Sequence, residues 1–220
     1  TFDNVANLAP SAIKMLKERY EGTRLGRQEL YAEILEDIEG ALFNSANIEQ
    51  NRIEILPELQ RIVVAIDPAV TANANSDETG IIVAGRGVDN NYYVLGDYSG
   101  VFSPDVWIKR AIELYYKFEA DRIVCEVNNG GDLIEKLLRV QDVNVPYTSV
   151  RATRGKMLRA EPISALYEQN KVHHAEYFKE LEEQMTQYTP LTVKSPDRLD
   201  ALVWAITSLQ SSGKAIFRIS

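Results

Sequence analysis

The sequence predicts an α/β fold, a mixed sheet of three antiparallel strands followed by parallel strands, with helices on both faces. Three observations carry this. Apolar periodicity switches from helical to strand-like at Arg61. Three strand patterns then follow one another with short connections, which makes an antiparallel meander. From Ser103 onward helix and strand patterns alternate, and that order builds parallel strands with crossover helices.

The elements can be justified in chain order. Pro10 suits the start of a helix over about Ser11 to Arg19. Gln28 to Ile38 repeats apolar residues at helical spacing, at Leu30, Ile34, Leu35 and Ile38, and Gly40 suits its C-cap. Asn44 to Asn51 is polar and reads as a loop. Residues 1–60 are therefore expected to be a helical linker or docking segment, and residues 61–220 the folded domain. Arg61-Ile-Val-Val-Ala-Ile-Asp67 is a β-branched run ending in an acid. Thr79 to Ala84 and Tyr92 to Tyr98 are the next strands. Pro104 to Glu119 is a helix, Arg122 to Val127 a strand, Asp132 to Arg139 a helix and Tyr147 to Val150 a strand. Helices over Lys156 to Gln169, Glu176 to Thr186 and Asp197 to Leu209 complete the chain.

The 220 residues are 45 % hydrophobic and 25 % charged, an ordinary globular balance. No run reaches the ~18 apolar residues of a membrane span, and no secretory signal opens the chain. Thr1 in place of an initiator marks the sequence as an expected piece of a longer chain. A single cysteine, Cys125, excludes an internal disulfide, and with two histidines it argues against zinc. The net charge of −8 opposes nucleic-acid binding at first sight. A cluster of acids that holds divalent cations would account for part of it, with basic residues gathered on one face.

Three acids occupy comparable places. Asp67 ends the first strand, Glu126 lies near the end of the fourth, and Asp200 sits in the first turns of the last helix with Asp197 at i−3. If the first and fourth strands are parallel neighbours, Asp67 and Glu126 stand side by side at the carboxyl edge of the sheet, where open α/β sheets place their sites. Each acid has a plainer explanation. Asp67 precedes Pro68 and could be a turn former, and Asp197 after Ser-Pro could be a helix cap. Glu126 inside an apolar strand is harder to explain without a partner. So is Asp200, which directly precedes Ala201-Leu-Val-Trp-Ala-Ile206. Converging carboxylates need cations, and hard oxygen ligands select Mg²⁺ or Mn²⁺. Asp77 and Asp132 are further acids nearby, both in turn contexts. Arg151, Arg154, Lys156 and Arg159 form a basic run that suits phosphate contact, or simply a solvated loop and helix start.

Four ordered motifs, Arg61-Ile-Val-Val-Ala-Ile-Asp-Pro-Ala69, Ser76-Asp-Glu-Thr-Gly-Ile-Ile-Val-Ala84, Cys125-Glu-Val-Asn-Asn-Gly-Gly131 and Ser195-Pro-Asp-Arg-Leu-Asp-Ala-Leu-Val-Trp-Ala205, resemble the nuclease domain of phage terminase large subunits. Gly26-Arg-Gln-Glu-Leu-Tyr-Ala-Glu33 and Glu39-Gly-Ala-Leu-Phe43 resemble the segment that follows the ATPase domain in that family. The resemblance implies a ribonuclease H-like fold and two Mg²⁺ or Mn²⁺ ions. It also implies cleavage of concatemeric double-stranded viral DNA during packaging in the host cytoplasm, with the ATPase domain, portal and small terminase subunit as partners. Asp67, Glu126 and Asp200 match the family's metal-binding acids and Asp197 an auxiliary position. In that reading Asp67 bridges two cations about 4 Å apart, one activating a water and the other stabilising the leaving oxygen. No Gly-x-x-x-x-Gly-Lys-Ser/Thr loop is present, so no ATP site is expected in this chain. The last helix also resembles that of Holliday-junction resolvases, so a resolvase or recombinase of the same fold, or a non-catalytic docking domain, remains open.

Overall fold

A computed structural model of the chain describes residues 38–69, 78–127, 131–192 and 195–211. The helices expected over Ser11 to Arg19 and Gln28 to Ile38 lie outside these, save for Ile38 itself. From Gly40 onward the described residues form one compact unit.

Six strands make one sheet: β1 (Leu59–Asp67), β2 (Gly80–Gly87), β3 (Tyr92–Asp97), β4 (Arg122–Glu126), β5 (Tyr147–Val150) and β6 (Val172–His174), in the order β5-β4-β1-β2-β3-β6. β1, β2 and β3 form the antiparallel meander. β4 joins β1, and β5 joins β4, both in parallel. The helices are α1 (Ser45–Gln50), α2 (Pro104–Lys117), α3 (Gly131–Gln141), α4 (Lys156–Glu168), α5 (Lys179–Gln187) and α6 (Asp197–Ser211).

Because side chains alternate along a strand, the sheet feeds two cores. Val63, Ala65, Ile82, Ala84 and Val124 face α6, α4 and α5, and pack with Leu199, Leu202, Ile206, Ile163 and Met185. Val64, Ile66, Ile81, Val83 and Ile123 face the other way onto Trp107, Ile108 and Ala111 of α2 and Leu138 of α3. Burial on both sides explains why β1 and β2 read as continuous apolar runs rather than alternating ones.

Two elements depart from expectation. Asn44 to Asn51, expected as a loop, contains helix α1. The Asn44 side chain caps it, accepting from the Ala46 and Asn47 backbone N–H groups at 2.8 and 3.2 Å, while Ile48 and Phe43 enter the core. The second departure is β6, a three-residue strand that adds in parallel to β3 and was not anticipated.

A buried polar group ties α1 to this edge. His174 is bonded through Nδ1 to Glu182 Oε1 at 2.9 Å and through Nε2 to the Tyr167 hydroxyl at 2.7 Å. Arg52 holds both Glu182 oxygens at 3.0 Å. Burial pushes the Glu182 carboxyl up, but bonds from His174 and Arg52 outweigh it and hold the group below its ordinary value.

A close approach sets the position of α6. A Cβ on Gly80 would collide with the backbone oxygen of Asp197 and lie 3.0 Å from Ala201 Cβ, so only glycine lets the helix start lie on β2.

Two outcomes are expected. Gly80→Ala should destabilise the protein by about 1–3 kcal/mol through forced displacement of α6, measured by urea unfolding; an unchanged midpoint would show that the contact is slack. Glu182→Gln should cost about 3 kcal/mol at pH 7, since it leaves Arg52 with half its partners in a buried place. A depressed carboxyl contributes stability above its ordinary value and loses it as pH falls through the depressed value. The gap between variant and wild type should therefore narrow below about pH 4.5, which melts across a pH series would reveal.

Candidate active site

The pairing register places the acids. β1 and β4 run in parallel with Ile66 opposite Cys125, so Asp67 and Glu126 each follow one residue later at the carboxyl ends of adjacent strands. α6 crosses above them. Leu199, Leu202, Val203 and Ile206 lock its apolar face into the core, which fixes the helix rotation and turns Asp200 inward. Asp200, Glu126 and Asp197 are all buried, at 2 %, 5 % and 6 % exposure. Asp197 is the first residue of α6, and the Asp200 backbone N–H donates to the Pro196 carbonyl at 2.8 Å.

Two cations and an indole meet these carboxylates. The Lys156 ammonium pairs with Asp200 Oδ2 and donates to Ser195 Oγ at 2.6 Å. Arg159 reaches Glu126 Oε2 at 3.3 Å and Asp200 Oδ1 at 3.5 Å. The Trp204 indole N–H donates to Glu126 Oε2 at 2.5 Å, and the Arg159 guanidinium lies 4.6 Å from the centre of the Trp204 ring system.

Burial, followed by the charges of Asp200 and Glu126, pushes the Asp67 carboxyl up to about 8; Lys156 relieves part of this and Asp197 adds to it. Asp200 is also raised by burial, although Lys156 and Arg159 pull against that. Burial works against the charge of Lys156, yet the Asp200 carboxylate outweighs it and the ammonium is held above its ordinary value. Four carboxyl groups thus share two cationic side chains. The donor set is hard oxygen, suited to Mg²⁺ or Mn²⁺, and its shortage of positive charge fits a divalent cation. Among the described residues no three acidic, histidine or cysteine side chains stand close enough to share one ion.

The structure gathers Asp67, Glu126, Asp197 and Asp200 at one edge. It divides the basic run. Arg151 and Arg154 are exposed in the loop between β5 and α4. Lys156 and Arg159, one turn apart on α4, face the acids, and the Arg159 side chain is only 10 % exposed. Asp77 lies outside the described residues. Asp132 falls in the first turn of α3, and its side chain is also outside them.

The sequence reading did not single out Trp204, Ser195 or a second clamp on α6. In that clamp Arg198 holds Glu78 through Nε and Nη2 at 3.0 and 3.1 Å and Asp97 through Nη1 at 2.7 Å. One signal was available: Trp204 is four residues after Asp200, so the two share a helix face.

No curated protein sequence matches the chain. Residues 64–209 match the family described as the Terminase RNaseH-like domain. Among solved structures, the whole large terminase of a thermophilic bacteriophage aligns at TM-score 0.59 and 13 % identity, covering 96 % of this chain and 54 % of that one. This chain therefore spans about half the length of that terminase. The large terminase nuclease of the thermophilic phage G20c aligns at TM-score 0.52 and 14 % identity, over 76 % of this chain and 98 % of that one. The nuclease domain of the large terminase subunit gp2 of bacterial virus Sf6 aligns at TM-score 0.57 and 11 % identity, with the same coverage. At such identities the structures speak for the fold alone, a ribonuclease H-like one. The family match spans most of the sequence and includes Asp67, Glu126, Asp197 and Asp200, and by it the chain belongs to the terminase RNaseH-like domain family.

Proposed function

We propose that the chain is a divalent-metal-dependent endonuclease that cuts concatemeric double-stranded DNA during viral genome packaging. The observation that carries this reading is the convergence of Asp67, Glu126, Asp197 and Asp200 at the carboxyl edge of β1 and β4, with two cationic side chains to balance them. Asp67, Glu126 and Asp200 would hold two Mg²⁺ or Mn²⁺ ions, with Asp197 assisting. A variant of the Sf6 nuclease domain has been solved with manganese, which supports the choice of cation. Bound there, the ions would supply a nucleophilic water near neutral pH and neutralise charge on the scissile phosphate.

The chain's own groups do the remaining work. Arg159 and Lys156 hold the carboxylates in place as fixed countercharges. Arg151 and Arg154, exposed beside the site, would meet phosphates and set the register of the duplex without reading sequence. Residues before Gly40 would join this domain to an ATPase domain of a longer protein, and the portal and small terminase subunit would be partners of that assembly in the host cytoplasm. No helix among the described residues is long and apolar enough to cross a membrane.

Supercoiled plasmid should be nicked and linearised without sequence preference in Mn²⁺ or Mg²⁺ and left intact in EDTA; cleavage that persists in EDTA would refute the metal-dependent reading. A strong preference for four-way junctions over plasmid would shift the assignment to a resolvase. In the same assay Asp200→Asn should lose at least a hundredfold, about 2.7 kcal/mol, because an amide keeps the shape and loses the charge. Asp197→Asn should keep a measurable fraction, and equal losses would show that both acids bind the ions directly.

Asp67→Asn should abolish cleavage yet raise the melting temperature in EDTA. A carboxyl raised to about 8 in the folded protein weakens stability as pH rises from its ordinary value toward 8. Each unit in that window is worth at most about 1.4 kcal/mol. The gain in melting temperature should therefore be largest at pH 8 and shrink toward pH 4; a variant that melts below wild type at pH 8 would mark Asp67 as structural.

A further inference from the structure

We infer that Trp204 is a positioning residue of the metal site, its indole N–H fixing one oxygen of Glu126 so that the other is presented to a cation. Glu126 ends an apolar strand at 5 % exposure, where a carboxylate needs donors to be tolerated. Its two donors, Trp204 Nε1 at 2.5 Å and Arg159 Nη1 at 3.3 Å, both fall on Oε2. They are also fastened to each other, because the guanidinium lies 4.6 Å from the centre of the indole ring.

The indole suits this task for reasons of its own. It offers a single donor and no acceptor, so it cannot compete with Glu126 for a cation. It cannot swing away either: Trp204 is 8 % exposed and sits between Val203 and Ala205, which are sealed in the core. Trp204 and Asp200 are one turn apart on α6. The helix that supplies one acid therefore orients another acid that comes from β4. Donors behind a ligating carboxylate set its direction and basicity, and their loss typically weakens metal binding 10–100-fold. Pre-orientation also removes the ordering cost that a free carboxylate would pay on binding.

This inference rests on the reading that Glu126 holds a cation, and the test separates the two. Mn²⁺ binding to the whole chain would be measured by titration calorimetry in the absence of DNA, alongside melting in EDTA. Trp204→Phe keeps an aromatic ring beneath Arg159 and removes the N–H. It should weaken Mn²⁺ binding about 10–100-fold while the EDTA melt moves by only a few degrees. Should that variant fail to fold, site-specific replacement of Trp204 by benzothienylalanine, which keeps the bicyclic shape without the N–H, takes its place with the same expectation. Glu126→Gln is the reference arm and should weaken binding at least as much. Wild-type affinity without the N–H, together with a weakened Glu126→Gln, would overturn the role of Trp204 alone. Wild-type affinity in Glu126→Gln would overturn the metal reading beneath it.

Discussion

The architecture of the site depends on how closely the last helix can approach the sheet. At Gly80 a single Cβ would strike the Asp197 backbone oxygen, so the start of α6 lies almost directly on β2. That contact, with the apolar face of α6 sealed against β1 and β2, sets the height and rotation of the helix. Asp200 then faces Glu126, and Trp204 follows one turn later. Arg198 reinforces the placement from the outer side by gripping Glu78 and Asp97. A helix raised by an ångström or two would still bury its leucines, but the acids would no longer meet. Strand geometry fixes two carboxylates, and helix packing brings in the others.

Assembling like charges has a cost that the fold offsets only in part. Asp67 shows it most clearly, its carboxyl driven upward by burial and by its neighbours. Arg159 and Lys156 supply internal countercharge by different means. Arg159 is fixed by stacking and nearly buried. Lys156 is 40 % exposed along its side chain and is the more mobile partner by chemistry as well, a point charge on a flexible stem. The arrangement holds the carboxylates together while leaving them short of positive charge, as expected of a site whose affinity for divalent ions is drawn from its own electrostatic imbalance.

Much of this was readable from the residues because it is local. Asp67 and Glu126 announce themselves as acids at the ends of β-branched runs, and Asp200 as a charge against an apolar helix face. Their meeting needed only the parallel pairing that an intervening helix enforces on β1 and β4. The roles of Lys156 and Arg159 were not legible, since a basic run at a helix start looks the same whether it faces water or carboxylates. Trp204 was hidden for the opposite reason: within Ala201-Leu-Val-Trp-Ala-Ile206 an indole reads as core, and only the three-dimensional position of Glu126 reveals its N–H. Helix α1 was missed because its sequence is polar and Ile48 is its one buried residue. Strand β6 was missed because three residues with two histidines carry no strand signal of their own, and its place is set by pairing with β3 and by His174 bonded to Glu182.

The two ends of the sheet bear on how the protein behaves when crowded with copies of itself. An open sheet invites strand addition wherever a long edge leaves its amides and carbonyls unpaired. Here the outer side of β3 is covered by β6, only three residues long, and Arg52 bridges onto that strand at His174. The opposite side ends in β5, four residues long, with Thr148 and Ser149 in the middle. The long apolar strands β1 and β2 are interior to the sheet. Both margins are thus too short and too polar to template a neighbouring chain, and the most aggregation-prone segments have their backbone groups paired on both sides.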